Sequence, residues 1–190
     1  LSADKGVNLN ALDDAGLADL AESGNDKAFE VILQRYRQRM LRICLRMMGD
    51  VIEAEEAAQD IFVKVYYHLK DYDRKREFAV WCTAIAVNEC RDRLRKRQRV
   101  SRTFRELNEA DRAPAETGPD DCADSREKLA MVEKALEDLP EKLKEVIVLK
   151  AYGEYSYEEI AKILKIRLGT VMSRLFRARK RLTKLMEGRD

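Results

Sequence analysis

Apolar residues recur along this chain at intervals of three and four, in blocks parted by short polar or glycine-containing breaks, which is the pattern of amphipathic helices. After a polar, patternless start over residues 1–12, Asp13 and Asp14 precede Leu17 and Leu20, and Ser23-Gly24 ends a first short helix. A longer helix is predicted from Asp26. Its stripe is Phe29, Ile32, Leu33, Tyr36, Met40, Ile43, Cys44 and Met47, with arginines on the other sides and Gly49 as the stop. Asp50 and Glu53 have capping-box spacing and predict a helix to about Lys70, with Ala54, Ala58, Ile61, Val65 and Leu69 toward the core. A loop from Lys70 to Arg76 leads into a helix that starts at Phe78 and runs to Arg97. Further on, Leu129, Val132, Ala135, Leu136 and Leu139 form one stripe, and Pro140 opens another with Leu143, Val146, Ile147 and Leu149. Ser156 and Glu159 form a second capping box, placing Ile160, Ala161 and Leu164 on a short helix. After residues 165–169 a last helix begins with Val171 and Leu175, and the pair reads as a helix-turn-helix.

Eight glycines, three prolines and no alternating β-branched run agree with an all-α chain. The pattern predicts two small helical domains, residues 13–97 and 126–187, joined by a flexible linker over 98–125. Net charge is only +2, but charge is strongly segregated. Asp50 to Asp60 holds five acids and no base, Arg91 to Arg105 eight bases and one acid, and Glu106 to Asp124 seven acids against Arg112, with no stable helix expected in this last stretch. From Ala161 to Met186 there are nine bases and no acid. A basic stretch alone is usually a solvated face, but here it coincides with the hairpin whose second helix would enter a DNA groove, and phosphate is its natural counterpart. On the third helix Glu56, Gln59, Asp60 and Val63 look outward, a mixed acidic and apolar surface suited to a protein partner as well as to solvent. The basic, aromatic loop before Trp81 could hold unstacked nucleic acid. For Trp81 itself, core packing and stacking on a base both stay open.

Cys44, Cys82, Cys90 and Cys122 lack CxxC spacing and His68 has no histidine partner, so neither a metal site nor a cofactor is expected. The first three cysteines sit in apolar stripes as buried thiols, and Cys122 is the one exposed candidate for redox chemistry. With no signal segment and no long uncharged span, a cytoplasmic protein is expected.

Taken in order, GDVIEAEEAAQDIFVKVY, FAVWCTAIAVNECRDRLRK and LPEKLKEVIVLKAYGEYSYEEIAKIL followed by GTVMSRLFRARKRL resemble the extracytoplasmic-function sigma factors of the sigma-70 family over nearly the whole chain. The resemblance implies a non-enzymatic function: binding core RNA polymerase and directing it to promoter DNA, under control of an anti-sigma protein and typically in a stress response. It implies that Glu56, Gln59, Asp60 and Val63 dock on the polymerase. Tyr72, Arg74, Lys75, Phe78, Trp81, Asn88, Arg91 and Arg95 would meet the minus-ten element, around a base flipped from the non-template strand, with Arg93 also near that strand's backbone. Thr170, Met172, Ser173, Arg174, Phe176, Arg177 and Lys180 would meet the minus-thirty-five element. Arg167 and Leu168 stand where the family usually has Pro and Val. Met172 replaces a residue that is often basic or polar, which shifts reading toward shape and thymine methyls.

A stand-alone helix-turn-helix regulator would explain residues 156–186 equally well, but not the aromatic loop, the acidic face or the bipolar linker. An enzyme finds no Gly-rich phosphate loop, His-carboxylate set or metal spacing.

Overall fold

The computed structural model describes residues 8–107 and 131–187, and these are almost entirely helical. Four helices form the N-terminal unit: α1 (Asp14–Glu22), α2 (Asp26–Met48), α3 (Val51–Tyr67) and α4 (Phe78–Leu107). The C-terminal unit has α5, of which residues 131–137 are described, then α6 (Glu141–Ala151), α7 (Tyr157–Leu164) and α8 (Leu168–Glu187).

Local chemistry sets the breaks. Asp13, Asn25 and Asp50 each accept a hydrogen bond from the backbone N–H three residues on, satisfying donors that the first turn leaves orphaned. Gly49 ends α2 with φ at +75°, a left-handed conformation that glycine adopts without a Cβ clash. Only half of the expected Asp50–Glu53 box forms, because the Glu53 carboxylate turns instead to Arg97 at 3.3 Å. Helix α3 stops at Tyr67 rather than near Lys70, and a 3-10 turn over Leu69–Asp71 follows it.

The N-terminal core gathers the predicted stripes: Leu17, Ile32, Met40, Ile43, Met47, Ile61, Val65, Leu69 and Val87 are all fully buried. Cys44, Cys82 and Cys90 are buried among them, and burial pushes the Cys82 thiol up to about 12, so it is a packing group rather than a nucleophile. In the C-terminal unit α6 and α7 pack on α8 through Val146, Leu149, Ile160, Val171 and Leu175.

Two expectations shift. Residues 98–107, expected to belong to the linker, continue α4, since RVSRTFREL contains neither glycine nor proline to stop a helix. The remainder of the expected linker, with Cys122 in it, lies outside the described residues. The two units also touch: α7 lies along α4, and α6 along α2.

Candidate polymerase and nucleic-acid interfaces

Three surfaces carry the residues singled out in the sequence. On α3, Ala54, Ala57, Ile61 and Val65 face the core, which turns Glu56, Gln59, Asp60 and Val63 outward, all exposed. Beside them a groove of about 570 Å³ runs between α2 and α3, lined by Phe29, Leu33, Phe62 and Tyr66, with Gln59 and Val63 along its edge. Two of the outward acids already have partners, since Arg93 pairs with Asp60 and, at 3.4 Å, with Glu56.

The second surface is a cavity of about 950 Å³ in front of Trp81, lined also by Lys75, Ile85 and Asn88, and by Lys162 of α7 and Lys165 of the turn after it. Trp81 is half-buried. One part of the indole packs on Tyr72 and Phe78, with ring centroids 5.0 and 5.4 Å away, while the rest lines the cavity. Tyr72 and Phe78 are themselves buried, at 4% and 2% exposure, so they back Trp81 and do not open onto the cavity. The Tyr72 hydroxyl donates to the Arg76 carbonyl at 2.6 Å, and burial raises its pKa. Arg74 is fastened inward. Its guanidinium donates to Asp19 at 2.7 Å, to the carbonyls of Leu69 and Tyr72 at 2.9 and 2.7 Å, and to Glu22, so it stitches the loop to α1. Lys75 is exposed at the mouth, and Asn88 is exposed on α4.

Further along α4, Arg91 forms a bidentate pair with Glu145 of α6, Nε to Oε1 at 2.5 Å and Nη2 to Oε2 at 2.8 Å. Arg93 bonds Glu89 at 2.7 Å besides its α3 partners, and Arg95 lies at 3.5 Å from Asp92 with both side chains exposed. Glu89 is a buried carboxylate. Desolvation alone would raise its pKa, but hydrogen bonds from Lys64 and Arg93 hold it below the usual carboxylate range.

The third surface is the helix-turn-helix. The Ser156–Glu159 box is complete, Glu159 N–H to Ser156 Oγ at 3.2 Å and Ser156 N–H to Glu159 Oε2 at 2.6 Å. The turn is made by Lys165 at φ +54°, while Gly169 is already the second residue of α8. Val171, Leu175 and Ala178 fix the inner side of α8, leaving Met172, Ser173, Phe176, Arg177 and Lys180 exposed, with Thr170 and Arg174 half-buried at their flank. Phe176 and Met172 are 69% and 53% exposed on this face of α8. Among the described residues no cation of α8 enters an ion pair, and Arg177 bonds only Ser173, its Nε reaching the carbonyl at 3.2 Å.

The contact between the units was missed by sequence reasoning. Tyr155 is buried at 2% exposure, its hydroxyl donating to the Ala79 carbonyl at 3.2 Å and meeting Thr83 Oγ1 at 2.5 Å. Glu145 is also at 2%. Its one signal was a carboxylate directly before the apolar run Val146-Ile147-Val148-Leu149. Among the described residues no group of three or more His, Cys, Asp or Glu could hold a metal, and no helix is long and apolar enough to cross a membrane.

Comparison with known proteins identifies the family. Residues 32–100 match the family model for sigma-70 region 2, and residues 129–182 that for sigma-70 region 4. The chain is 34% identical over 170 residues to the ECF RNA polymerase sigma factor SigW of Bacillus subtilis, covering 86% of this chain and 91% of that protein. It is 30% identical over 181 residues to the RNA polymerase sigma-H factor of Pseudomonas aeruginosa, covering 92% and 94%. Among solved structures, CnrH in complex with the cytosolic domain of CnrY superposes with a TM-score of 0.71 at 28% identity, over 93% of this chain and 99% of that one. The sigma factor RpoE of Bartonella quintana, in complex with the anti-sigma factor NepR, gives 0.67 at 26%, over 86% and 99%.

Proposed function

The chain belongs to the extracytoplasmic-function sigma factors of the sigma-70 family, and from that premise we propose how its surfaces divide the work of transcription initiation. It is an initiation factor rather than an enzyme: it binds core RNA polymerase and directs it to promoters.

The α3 face and its groove are the polymerase-docking surface. Gln59 and Val63 supply exposed contact beside an apolar groove, and the acids Glu56 and Asp60 give that face its charge. The cavity before Trp81 takes the flipped base of the minus-ten element, with the indole as platform, Asn88 as a hydrogen-bonding group and Lys75 near the backbone. Flipping a base costs a few kcal/mol, which bound polymerase helps to offset. Tyr72, Phe78 and Arg74 serve this site from behind, by setting the position of Trp81 and the loop. The exposed edge of α8 reads the minus-thirty-five element in the major groove, Arg177 toward a base and Arg174 and Lys180 toward phosphates.

The observation that carries the assignment is one chain presenting both a cavity lined by Trp81 and a helix whose exposed cations have no carboxylate partner among the described residues. By likeness to CnrH and RpoE, each captured with a protein partner, the chain has an anti-sigma partner of its own. Such a partner, membrane-held where only its cytosolic domain reaches the factor, would keep this cytoplasmic protein near the membrane until a stress signal arrives.

Run-off transcription with purified bacterial core polymerase, with and without the chain, on a pool of promoter fragments tests the proposal. Initiation from a discrete subset supports it and reveals both elements. No initiation, with tight duplex binding by the chain alone, would establish a stand-alone regulator instead.

A further inference from the structure

We propose that Glu145 is a built-in competitor for promoter phosphate, a latch that occupies Arg91 and holds the two units closed over the minus-ten site. The inference rests on the DNA reading of α4 proposed above. Its carboxylate engages Nε and Nη2 of Arg91 at 2.5 and 2.8 Å, presenting the guanidinium with the same planar pair of oxygens that a phosphate would offer. Arg91 also reaches Asn88 Oδ1 at 3.5 Å, so the latch sits directly beside the cavity. A second tie lies on the same side of the joint, where Tyr155 bridges Thr83 and the Ala79 carbonyl, two residues either side of Trp81. Lys162 of α7 and Lys165 of the following turn also line the cavity.

This closed form and a promoter-bound form are geometrically incompatible. The minus-ten and minus-thirty-five elements are separated by about 25 base pairs, roughly 85 Å of duplex at ~3.4 Å per step. A compact chain of this length spans about 40 Å, from a radius of gyration of about 16 Å. With α7 packed on α4 and α8 packed on α7, one molecule cannot reach both elements. Opening must break the Arg91–Glu145 and Tyr155–Thr83 contacts, and it frees Arg91 at the moment DNA needs it.

The chemistry of the joint suits a reversible device. A buried ion pair contributes little net stability because burial costs nearly as much as the attraction returns, and on opening both charges regain water. The pair is therefore specific in geometry and weak in free energy, so that polymerase docking on α3 can shift it.

The test uses the full chain and its Glu145→Gln, Thr83→Val and Arg91→Ala variants. Small-angle scattering reads compaction, and fluorescence anisotropy reads binding of a single-stranded oligonucleotide carrying the minus-ten sequence selected by run-off transcription. Glu145→Gln should enlarge the radius of gyration and bind the oligonucleotide about tenfold more tightly, the gain expected if nine molecules in ten are otherwise closed. Thr83→Val should move both readouts the same way by a smaller factor, and Arg91→Ala should expand the chain yet weaken binding. Glu145→Gln and Thr83→Val both retaining wild-type compaction and affinity would overturn the latch, as would expansion without any gain in binding. If Glu145→Gln loses its helical circular dichroism, Thr83→Val decides alone. Failure of every variant to bind the oligonucleotide, even with core polymerase, would instead strike the DNA reading of α4.

Discussion

Helices α4 and α8 are both strongly basic, yet the structure uses their charge in opposite ways. On α4, Arg91 meets Glu145, Arg93 meets Glu89, Asp60 and Glu56, Arg95 meets Asp92, and Arg97 meets Glu53 and the Met48 carbonyl. On α8, Arg174, Arg177, Arg179, Lys180, Arg181 and Lys184 have no carboxylate partner among the described residues. Arg91, Arg93 and Arg97 of the first set pin helices to one another, whereas the second set is free of such ties and is the one proposed to meet phosphate. Charge count is therefore a poor guide to a nucleic-acid surface, and the availability of each cation is a better one.

The comparison breaks if Arg177→Ala, on the open helix, leaves initiation unchanged. Its expected loss at matching promoters corresponds to about 1–3 kcal/mol, measured by initiation rates on matched and mismatched minus-thirty-five elements, with folding stability unmoved. Equal loss on every sequence would make it a phosphate contact. Arg93→Ala, on the pinned helix, should cost about 1–2 kcal/mol in urea unfolding, because it strips one of two cationic partners from buried Glu89, while Arg179→Ala should stay within about 0.5 kcal/mol. Ser156→Ala, which removes one arm of the capping box under the reader helix, should cost about 1 kcal/mol in the same measurement. Arg179→Ala should flatten the salt dependence of promoter binding by about 0.9 in log–log slope, and Arg93→Ala should not.

The smallest effect is on acid stability. Glu89 is held below the ordinary carboxylate value, so its contribution is complete above the unfolded value near ~4.3 and is lost as pH falls through the lower folded value. Arg93→Ala removes one of the groups that depress it, so acid unfolding followed by circular dichroism should begin at a higher pH than in the wild type.

Much of this was legible in the sequence because caps and periodicity are local. Asp13, Gly49 and the Ser156–Glu159 pair mark helix ends by chemistry that acts within a few residues, and the stripes of α2, α3 and α8 face the core as their spacing requires. The outward position of Glu56, Gln59, Asp60 and Val63 follows from the same period. What escaped depends on partners far along the chain. Nothing near Arg74 announces that Asp19 and Glu22 hold it, and nothing near Arg91 announces Glu145. Aromatic residues in a polar loop read as stacking platforms, but Tyr72 and Phe78 are buried because α1 and α2 supply a floor that the loop sequence does not show.

Arg74 has a consequence for residues that no DNA approaches. By joining α1 to the loop through two carboxylates and two carbonyls, it makes the loop surrender its conformational freedom once, during folding, rather than again at each encounter with the proposed ligand. The first helix thereby acts as the mould of the pocket. Removing residues 14–22 would strip Arg74 of both carboxylates and the core of buried Leu17, Ala18 and Ala21, and any base captured in the proposed site would then carry the entropy of ordering the loop anew.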